Sequence, residues 1–402
     1  MPLPRPPFHT LALVLQGGGA LGAYQAGVME GLSEAGIAPD WVAGISIGAI
    51  NGAIIAGNPP ERQIDRLREF WGTISQPGLG APELPWTRND LVPDEGPLRQ
   101  AWNGWNAWRA LSEGQRGFFL PRGPAPWLGL GRGAEDASFY DTAPLKSTLE
   151  RLIDFDRINA GVTRLTVSAV DAVDGNFEVF DNHRGRWRGH FRAEHIMASG
   201  ALPPGFPAVA IADPPSAHRR GGDTAVPRVR HYWDGGIVSN TPLALVLQDE
   251  PRHDTLAFQV DLWSARGALP ANVVDVQERV KDIQYSSRTR AITDMLMHEQ
   301  RQRRLLRDVL AHVPEARRRD DPLLQDAARV ACGRCVNVIQ LIYQDKAWDG
   351  LAKDYEFGPR TMSDHWASGL ADIRRTLTHP EWLTRPPGED PFVTHDVHRL
   401  RE

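Results

Sequence analysis

Ser46 stands at the centre of Gly44-Ile45-Ser46-Ile47-Gly48, a Gly-x-Ser-x-Gly pentapeptide. The apolar Trp41-Val-Ala43 precedes it and the apolar run Ala49–Ala56 follows it. Strand, Gly-x-Ser-x-Gly, helix is the context of a nucleophile elbow, where a strained turn pushes the serine hydroxyl out of the sheet. Glycine is needed at 44 and 48 because side chains there would collide with the adjoining strand and helix. One strand earlier, Leu11-Ala-Leu-Val-Leu15 leads into Gln16-Gly17-Gly18-Gly19-Ala20-Leu21-Gly22 and then into a helically spaced run over 23–32. A glycine-rich turn opening a helix exposes several backbone N–H groups at a positive dipole end. Such a turn can hold an anion or a developing oxyanion.

Two other readings of these motifs compete. Gly17-x-Gly19-x-x-Gly22 matches the dinucleotide-binding fingerprint, but that fold wants an acidic residue after the second strand, and Asp40 comes before it. An ordinary α/β-hydrolase places its elbow after several strands, and too little chain precedes Ser46 to build them. Histidine is the usual partner of such a serine. Thirteen are present, with His183, His195 and His231 near apolar or aromatic neighbours, and none sits in a catalytic motif.

The glycine loop and the elbow, in this order, resemble the patatin-like phospholipases, lipid acyl hydrolases with a Ser–Asp dyad. The resemblance asks for Asp-Gly-Gly at the end of a downstream strand. His231-Tyr232-Trp233-Asp234-Gly235-Gly236 supplies it, running on to Asn240-Thr-Pro242. Met197-Ala-Ser199-Gly-Ala-Leu-Pro203-Pro-Gly-Phe206-Pro207 is similar to a further family segment, so four matches fall in order between residues 16 and 243. Many members carry Arg or Lys in the glycine loop where this chain has Leu21. The C-terminal third is similar to the extension of a bacterial subgroup, with Lys353-Asp-Tyr-Glu-Phe357 and Trp366…Arg374-Arg375…His379-Pro-Glu-Trp382.

The resemblance implies a serine acyl hydrolase acting on lipid or other esters. Asp234 would be the base that activates Ser46, its basicity raised by partial burial. The N–H groups of Gly18 and Gly19, with Gly17 and Gly22 shaping the loop and Ile47 contributing its own N–H, would stabilise the oxyanion. Gly44, Gly48, Gly235 and Gly236 complete the motifs, and no cofactor or metal is called for. A catalytically silent relative that binds a membrane or a partner is the competing expectation.

These residues need a scaffold, and the elements are legible in part. The expected fold is a three-layer αβα hydrolase with a mainly parallel central sheet. Residues 11–265 would form the hydrolase domain and 266–402 a mostly helical extension packed into it. Asn58-Pro-Pro-Glu61 opens a helix reaching Trp71, and Phe139–Pro144 opens another with Leu145, Leu149 and Leu152 on one face. Val173-Asp-Gly-Asn176 reads as a hairpin turn between strands 165–170 and 177–180. Strands are also expected at 255–262 and 336–343, and helix over 271–331. Residues 75–135 are rich in Pro and Gly, poor in regular pattern, and hold five of the 13 Trp (86, 102, 105, 108 and 127). They read either as a lid or membrane-contacting insertion or as an insertion packed on the body.

Composition bounds the function. The 402 residues are 41% hydrophobic and 24% charged, with a net charge of −5, which argues against a nucleic-acid binder. No apolar run approaches the roughly 18 residues of a membrane span, and no secretory leader is visible. Two cysteines fit a reducing, cytoplasmic setting, with peripheral membrane contact left open. Cys332-Gly-Arg-Cys335 lacks the second pair of a zinc site and leads into a strand rather than a helix. Residues 279–319 hold 11 Lys or Arg against five acids, a solvated face more than a lipid-binding one. The oligomeric state is not legible.

Overall fold

The structure is a computed structural model that describes residues 3–76, 93–123, 133–214, 228–386 and 390–399. The first half runs β1 (Thr10–Leu15), α1 (Ala23–Glu34), β2 (Trp41–Gly44), α2 (Ile47–Ala56) and α3 (Pro60–Ile74). It continues with α4 (Pro97–Glu113), β3 (Leu120–Pro121), β4 (Tyr140–Asp141), α5 (Ala143–Leu152) and α6 (Phe155–Asn159). Then come β5 (Arg164–Asp171), β6 (Phe177–Asp181), α7 (Ala193–Ser199), β7 (Val209–Ala212), β8 (Val229–Asp234) and α8 (Leu243–Leu247). The last part holds β9 (Thr255–Asp261), α9 (Val273–Ala311), α10 (Glu315–Asp320), α11 (Pro322–Val330), β10 (Val336–Ile342), α12 (Pro359–Thr376) and β11 (Phe392–Asp396).

A nine-stranded sheet orders these as β11-β10-β9-β1-β2-β5-β8-β7, with β6 also paired to β5. From β11 to β5 every pairing is parallel. The β5–β6, β5–β8 and β7–β8 pairings are antiparallel. The mainly parallel sheet expected from the apolar runs is therefore present, closed at one side by short antiparallel strands.

The continuous apolar run of β1 is explained by burial on both faces. Leu11, Leu13 and Leu15 enter a core shared with α1, α2 and α3. Ala12 and Val14 face the opposite layer, where Leu243, Val246 and Leu247 of α8 meet Leu296 of α9. Two helical layers thus enclose the sheet. The chain beyond residue 266 is part of the same packing, since β10 pairs with β9 and α12 lies along α1. That helix crossing is close enough to require small residues: a Cβ on Gly27 would lie 2.0 Å from the Trp366 carbonyl oxygen.

One expectation needs correction. Within 75–135 the described residues include a regular 17-residue helix, α4, where little pattern was visible. Glycines at positive φ bound it, Gly96 at 92° and Gly114 at 78°, and Pro97 occupies its first turn. Their abundance lent the whole segment a loop-like composition and hid the helix inside it. Buried Arg99 ties α4 to α12 through Asp364 at 2.8 Å. Trp105 and Trp108 stack on each other at 4.9 Å on the exposed side. Trp86 and Trp127 lie outside the described residues. Among the described residues, no helix is long and apolar enough to cross a membrane.

Candidate active site

Ser46 leaves β2 and caps α2 with φ 56° and ψ −123°, and among the described residues it is the only non-glycine at positive φ. Such a conformation costs on the order of 1–3 kcal/mol and persists only where the surroundings impose it. Here they do. The elbow presses against β1 so closely that a Cβ on Gly48 would lie 2.4 Å from the Leu15 carbonyl oxygen. The Ser46 N–H donates to Ser199 Oγ at 3.0 Å, which fixes the turn from the end of α7.

Asp234 ends β8, at the register where that strand meets Ala169 of β5. Its carboxylate accepts a hydrogen bond from the Gly236 N–H at 2.7 Å, and the Ser46 hydroxyl lies near enough to favour its charged form. The side chain is 3% exposed. Burial pushes its pKa from the usual 3.8 up to about 7, against the lowering effect of the Gly236 N–H and the Ser46 hydroxyl.

The glycine loop is held at both ends and open in the middle. Gly17 donates its N–H to the Asn240 carbonyl at 3.3 Å. Its own carbonyl accepts from the Asn240 side-chain amide at 3.0 Å and from the Trp263 indole at 2.8 Å. Ala20 donates its N–H to the Asp354 carbonyl at 2.7 Å. Between these tethers, the N–H groups of Gly18 and Gly19 have no partner among the described residues, and neither has that of Ile47 at the start of α2. Gly22 does a packing job, since a Cβ there would lie 2.5 Å from the Ile47 side chain. Leu21 is wholly buried in the core.

Gly17, Gly18, Gly19, Ser46, Ile47, Asp234 and Gly236 all line one cavity of about 300 Å³. Most of its remaining wall is apolar, including Ile50, Leu111, Phe118, Phe119, Leu202, Phe206 and Phe357 with Tyr140 and Tyr285, while Asn240, Trp263 and Asp354 also border it. Phe118, Phe119, Tyr140, Phe206 and Phe357 contact one another edge-on or tilted and make a continuous aromatic wall. An apolar cavity with a few convergent polar groups suits a ligand that is largely hydrocarbon with one polar centre.

Among the described residues, no histidine lines the cavity. His195 is buried under α7 against Phe180 and Trp187, and desolvation brings its pKa down to about 4. His231 faces Glu135 at 3.9 Å, and His183 contacts the Gly161 carbonyl at 2.9 Å. Cys335 is a free thiol that burial pushes up to about 11, far from a reactive thiolate.

Four supporting residues escaped the sequence reading: Ser199, Asn240, Trp263 and Asp354. The first two lie inside motifs that were noticed, so only their contacts were missed. Asp354 lies in the noticed Lys353-Asp-Tyr-Glu-Phe357 segment, whose role was not legible, and Trp263 carries no local signal.

A serine at positive φ between strand and helix, facing a buried carboxylate within a mostly parallel sheet flanked by helices, places the chain among α/β proteins that carry a serine nucleophile elbow. Sequence comparison narrows the class. Residues 13–247 match the model of the patatin-like phospholipase family, and residues 283–389 match a second model described as patatin phospholipase. The chain belongs to the patatin-like phospholipase family. It is 45% identical over 63 residues to patatin-like phospholipase domain-containing protein 7 of Rattus norvegicus, covering 16% of this chain and 5% of that protein. It is 55% identical over 48 residues to lysophospholipase nte1 of Aspergillus terreus, covering 12% of this chain and 3% of that one. The matched stretches therefore span about a twentieth or less of these curated relatives. Among solved structures, VipD from Legionella pneumophila aligns with a TM-score of 0.36 at 16% identity, over 92% of this chain and 67% of that one. Human GIVD cytosolic phospholipase A2 aligns with a TM-score of 0.31 at 12% identity, over 62% and 42%.

Proposed function

We propose that the protein is a serine lipid acyl hydrolase of the phospholipase A or esterase type, working through a Ser46–Asp234 dyad. The observation that carries the reading is the placement of the Ser46 hydroxyl beside a desolvated Asp234 carboxylate in one apolar cavity, where no histidine lines the wall among the described residues. An aspartate near 7 is a far better base at neutral pH than one near 4, because catalytic efficiency is greatest when the base's pKa approaches the working pH.

Ser46 Oγ attacks the ester carbonyl carbon while Asp234 takes its proton. The oxyanion forms within reach of the unpartnered N–H groups of Gly18, Gly19 and Ile47, and one such donor typically contributes about 3–4 kcal/mol in the transition state. Collapse breaks the C–O bond, the alcohol leaves with the proton from Asp234, and the acyl group remains on Ser46. Water then attacks the acyl-enzyme and gives its proton to Asp234. The free acid departs and Ser46 regains its proton. No metal takes part in any of these steps.

The acyl chain would occupy the aromatic-walled cavity. The exposed stripe of α4, Leu98, Trp105, Trp108 and Leu111, is a fitting contact for the surface of a lipid aggregate. Leu111 belongs both to this stripe and to the cavity wall. A fluorophosphonate probe and p-nitrophenyl butyrate test the reading together. Wild type should hydrolyse the ester and carry a single adduct on Ser46, with both lost in Ser46→Ala. An adduct on another serine, or a folded wild type that neither turns over nor labels, would refute it in favour of a silent binding protein.

A further inference from the structure

The second tether of the glycine loop comes from more than three hundred residues away. Asp354 sits in the loop between β10 and α12, and its carbonyl accepts the Ala20 N–H at 2.7 Å. The approach is close enough to demand glycine next door: Gly19 has φ 55°, and a Cβ there would lie 2.0 Å from the same carbonyl oxygen. The carbonyl therefore bears directly on Gly19, one of the two cavity-lining glycines whose N–H groups have no partner among the described residues, and on its neighbour Ala20.

What holds Asp354 in place is a reciprocal pair of ion pairs with α9. Lys281 binds the Asp354 carboxylate, and the adjacent Asp282 binds Lys353 at 2.7 Å. Two neighbouring residues on one element thus meet two neighbouring residues of opposite sign on the other. Asp345 at 2.8 Å and Glu278 at 3.6 Å also face Lys353, whose side chain is 1% exposed. Both ammonium groups lie over the Trp263 ring, at 5.6 Å for Lys281 and 5.5 Å for Lys353. Trp263 is itself the other tether, through its indole N–H to the Gly17 carbonyl. The chain has four lysines, at 146, 281, 346 and 353, against 45 Lys and Arg together, and two of the four meet here. A compact ammonium fits this enclosed geometry where a guanidinium is bulkier.

We propose that the Lys281-Asp282 and Lys353-Asp354 pairs form a clamp by which the C-terminal segment sets the position of the Gly18 and Gly19 N–H groups. The clamp rests on the hydrolase reading for its catalytic consequence but not for its structural one. Lys281 and Lys353 are positioning residues; neither lines the cavity. The consequence is sensitive, because catalysis depends on where the donors point, and a misplacement of about 1 Å can cost on the order of a hundredfold.

The test uses the full chain and three variants: Lys281→Met, Lys281→Arg and Asp354→Asn. Hydrogen exchange of the 17–22 segment reports the clamp without any need for activity. Lys281→Met should speed exchange of the Ala20 amide at least tenfold, with β1, β9 and α12 keeping wild-type protection, and Lys281→Arg should recover part of the loss. On p-nitrophenyl butyrate, Lys281→Met should lower kcat about tenfold to a hundredfold with KM within twofold. Binding of an alkyl boronic acid, which becomes tetrahedral on the serine, should weaken by a similar factor. Asp354→Asn keeps the carbonyl and removes the charge, and it serves with the same readouts if Lys281→Met does not fold. Unchanged exchange over 17–22 in the folded variants would overturn the clamp, as would kcat and KM moving together. A wild type inert toward esters whose 17–22 exchange still responds to Lys281→Met would sink the hydrolase reading and leave the clamp standing.

Discussion

Replacing Asp234 by Asn should make the folded protein more stable at alkaline pH and destroy its activity. The magnitude follows from the burial of the carboxyl. In the native state its pKa is raised from 3.8 to about 7, so folding favours the protonated form. The stabilisation linked to this proton is complete below the unfolded-state pKa near 4 and is lost as the pH rises through about 7. Above that, the native state holds a desolvated charge worth about 4 kcal/mol relative to the unfolded chain. Asparagine keeps the shape and the acceptor for the Gly236 N–H, bonded at 2.7 Å, and carries no charge. It should recover much of that amount at pH 8 and almost none at pH 4.

Melting temperatures of wild type and Asp234→Asn from pH 4 to 9 measure the effect directly. For a chain of this length about 4 kcal/mol corresponds to roughly 5 °C, so the two curves should coincide at acid pH and separate by a few degrees at pH 8. Asp261 is also buried and pushed up to about 7, but it is present in both proteins and cancels in the difference. The same ionisation should govern turnover: wild-type kcat/KM should climb about tenfold per pH unit below 7 and level off above it. Asp234→Asn should lose about 10²–10⁴-fold in kcat. A difference in melting temperature that stays flat with pH, or a variant less stable than wild type at pH 8, would refute the claim that burial sets this carboxyl's pKa.

Gly48→Ala should cost at least a hundredfold in activity, since the added methyl would sit 2.4 Å from the Leu15 carbonyl and must displace the elbow; near-normal turnover on p-nitrophenyl butyrate would contradict this. His231→Ala should stay within about tenfold of wild-type kcat, because the ring faces Glu135 rather than the cavity, and a collapse equal to that of Asp234→Asn would replace the dyad by a triad. Replacing Trp105 and Trp108 by Ala should slow hydrolysis on phospholipid vesicles severalfold and leave a short soluble ester nearly unaffected; equal loss on both, with a lower Tm, would assign the pair to packing.

Legibility followed the range of the interaction. The elbow is largely local: five residues, two of them glycine, sit between an apolar strand and an apolar helix. The close approach of Gly48 to Leu15 lies within sixty residues of Ser46, while Ser199 braces the turn from further along the chain. The central strands were visible because burial on both faces makes them continuously apolar, as in Leu11–Leu15 and in 255–262. The edge strand β11, Phe-Val-Thr-His-Asp, has no such run, since one side of its ladder is free and most of it is only half-buried. α4 was obscured by the glycines that bound it. Asp234 was found through its motif, yet nothing local says that it would be buried to this degree. Trp263 and Asp354 reach the glycine loop from about 250 and 330 residues away, by contacts that only the closed sheet and the docking of α9 create.

The apolar wall has two consequences that are usually treated separately. Phe118, Phe119, Phe206 and Phe357 make room for hydrocarbon, and a site lined this way also excludes the water that would hold a carboxylate near 4. A histidine is the common answer to the need for a base that titrates near neutrality. Under the proposed mechanism the need is met by desolvating an aspartate, so the apolar cavity and the basicity of Asp234 would be one property of the fold. A substitution that wets the cavity should therefore lower the pKa of Asp234 as well as weaken substrate binding. Phe206→Ser, in the aromatic wall, separates this coupling from a simple loss of contacts. If burial governs both, the acid limb of the kcat profile should move to lower pH by a measurable fraction of a unit, with KM rising at every pH. A raised KM with an unmoved limb would mean that burial by parts of the fold other than the aromatic wall raises this pKa.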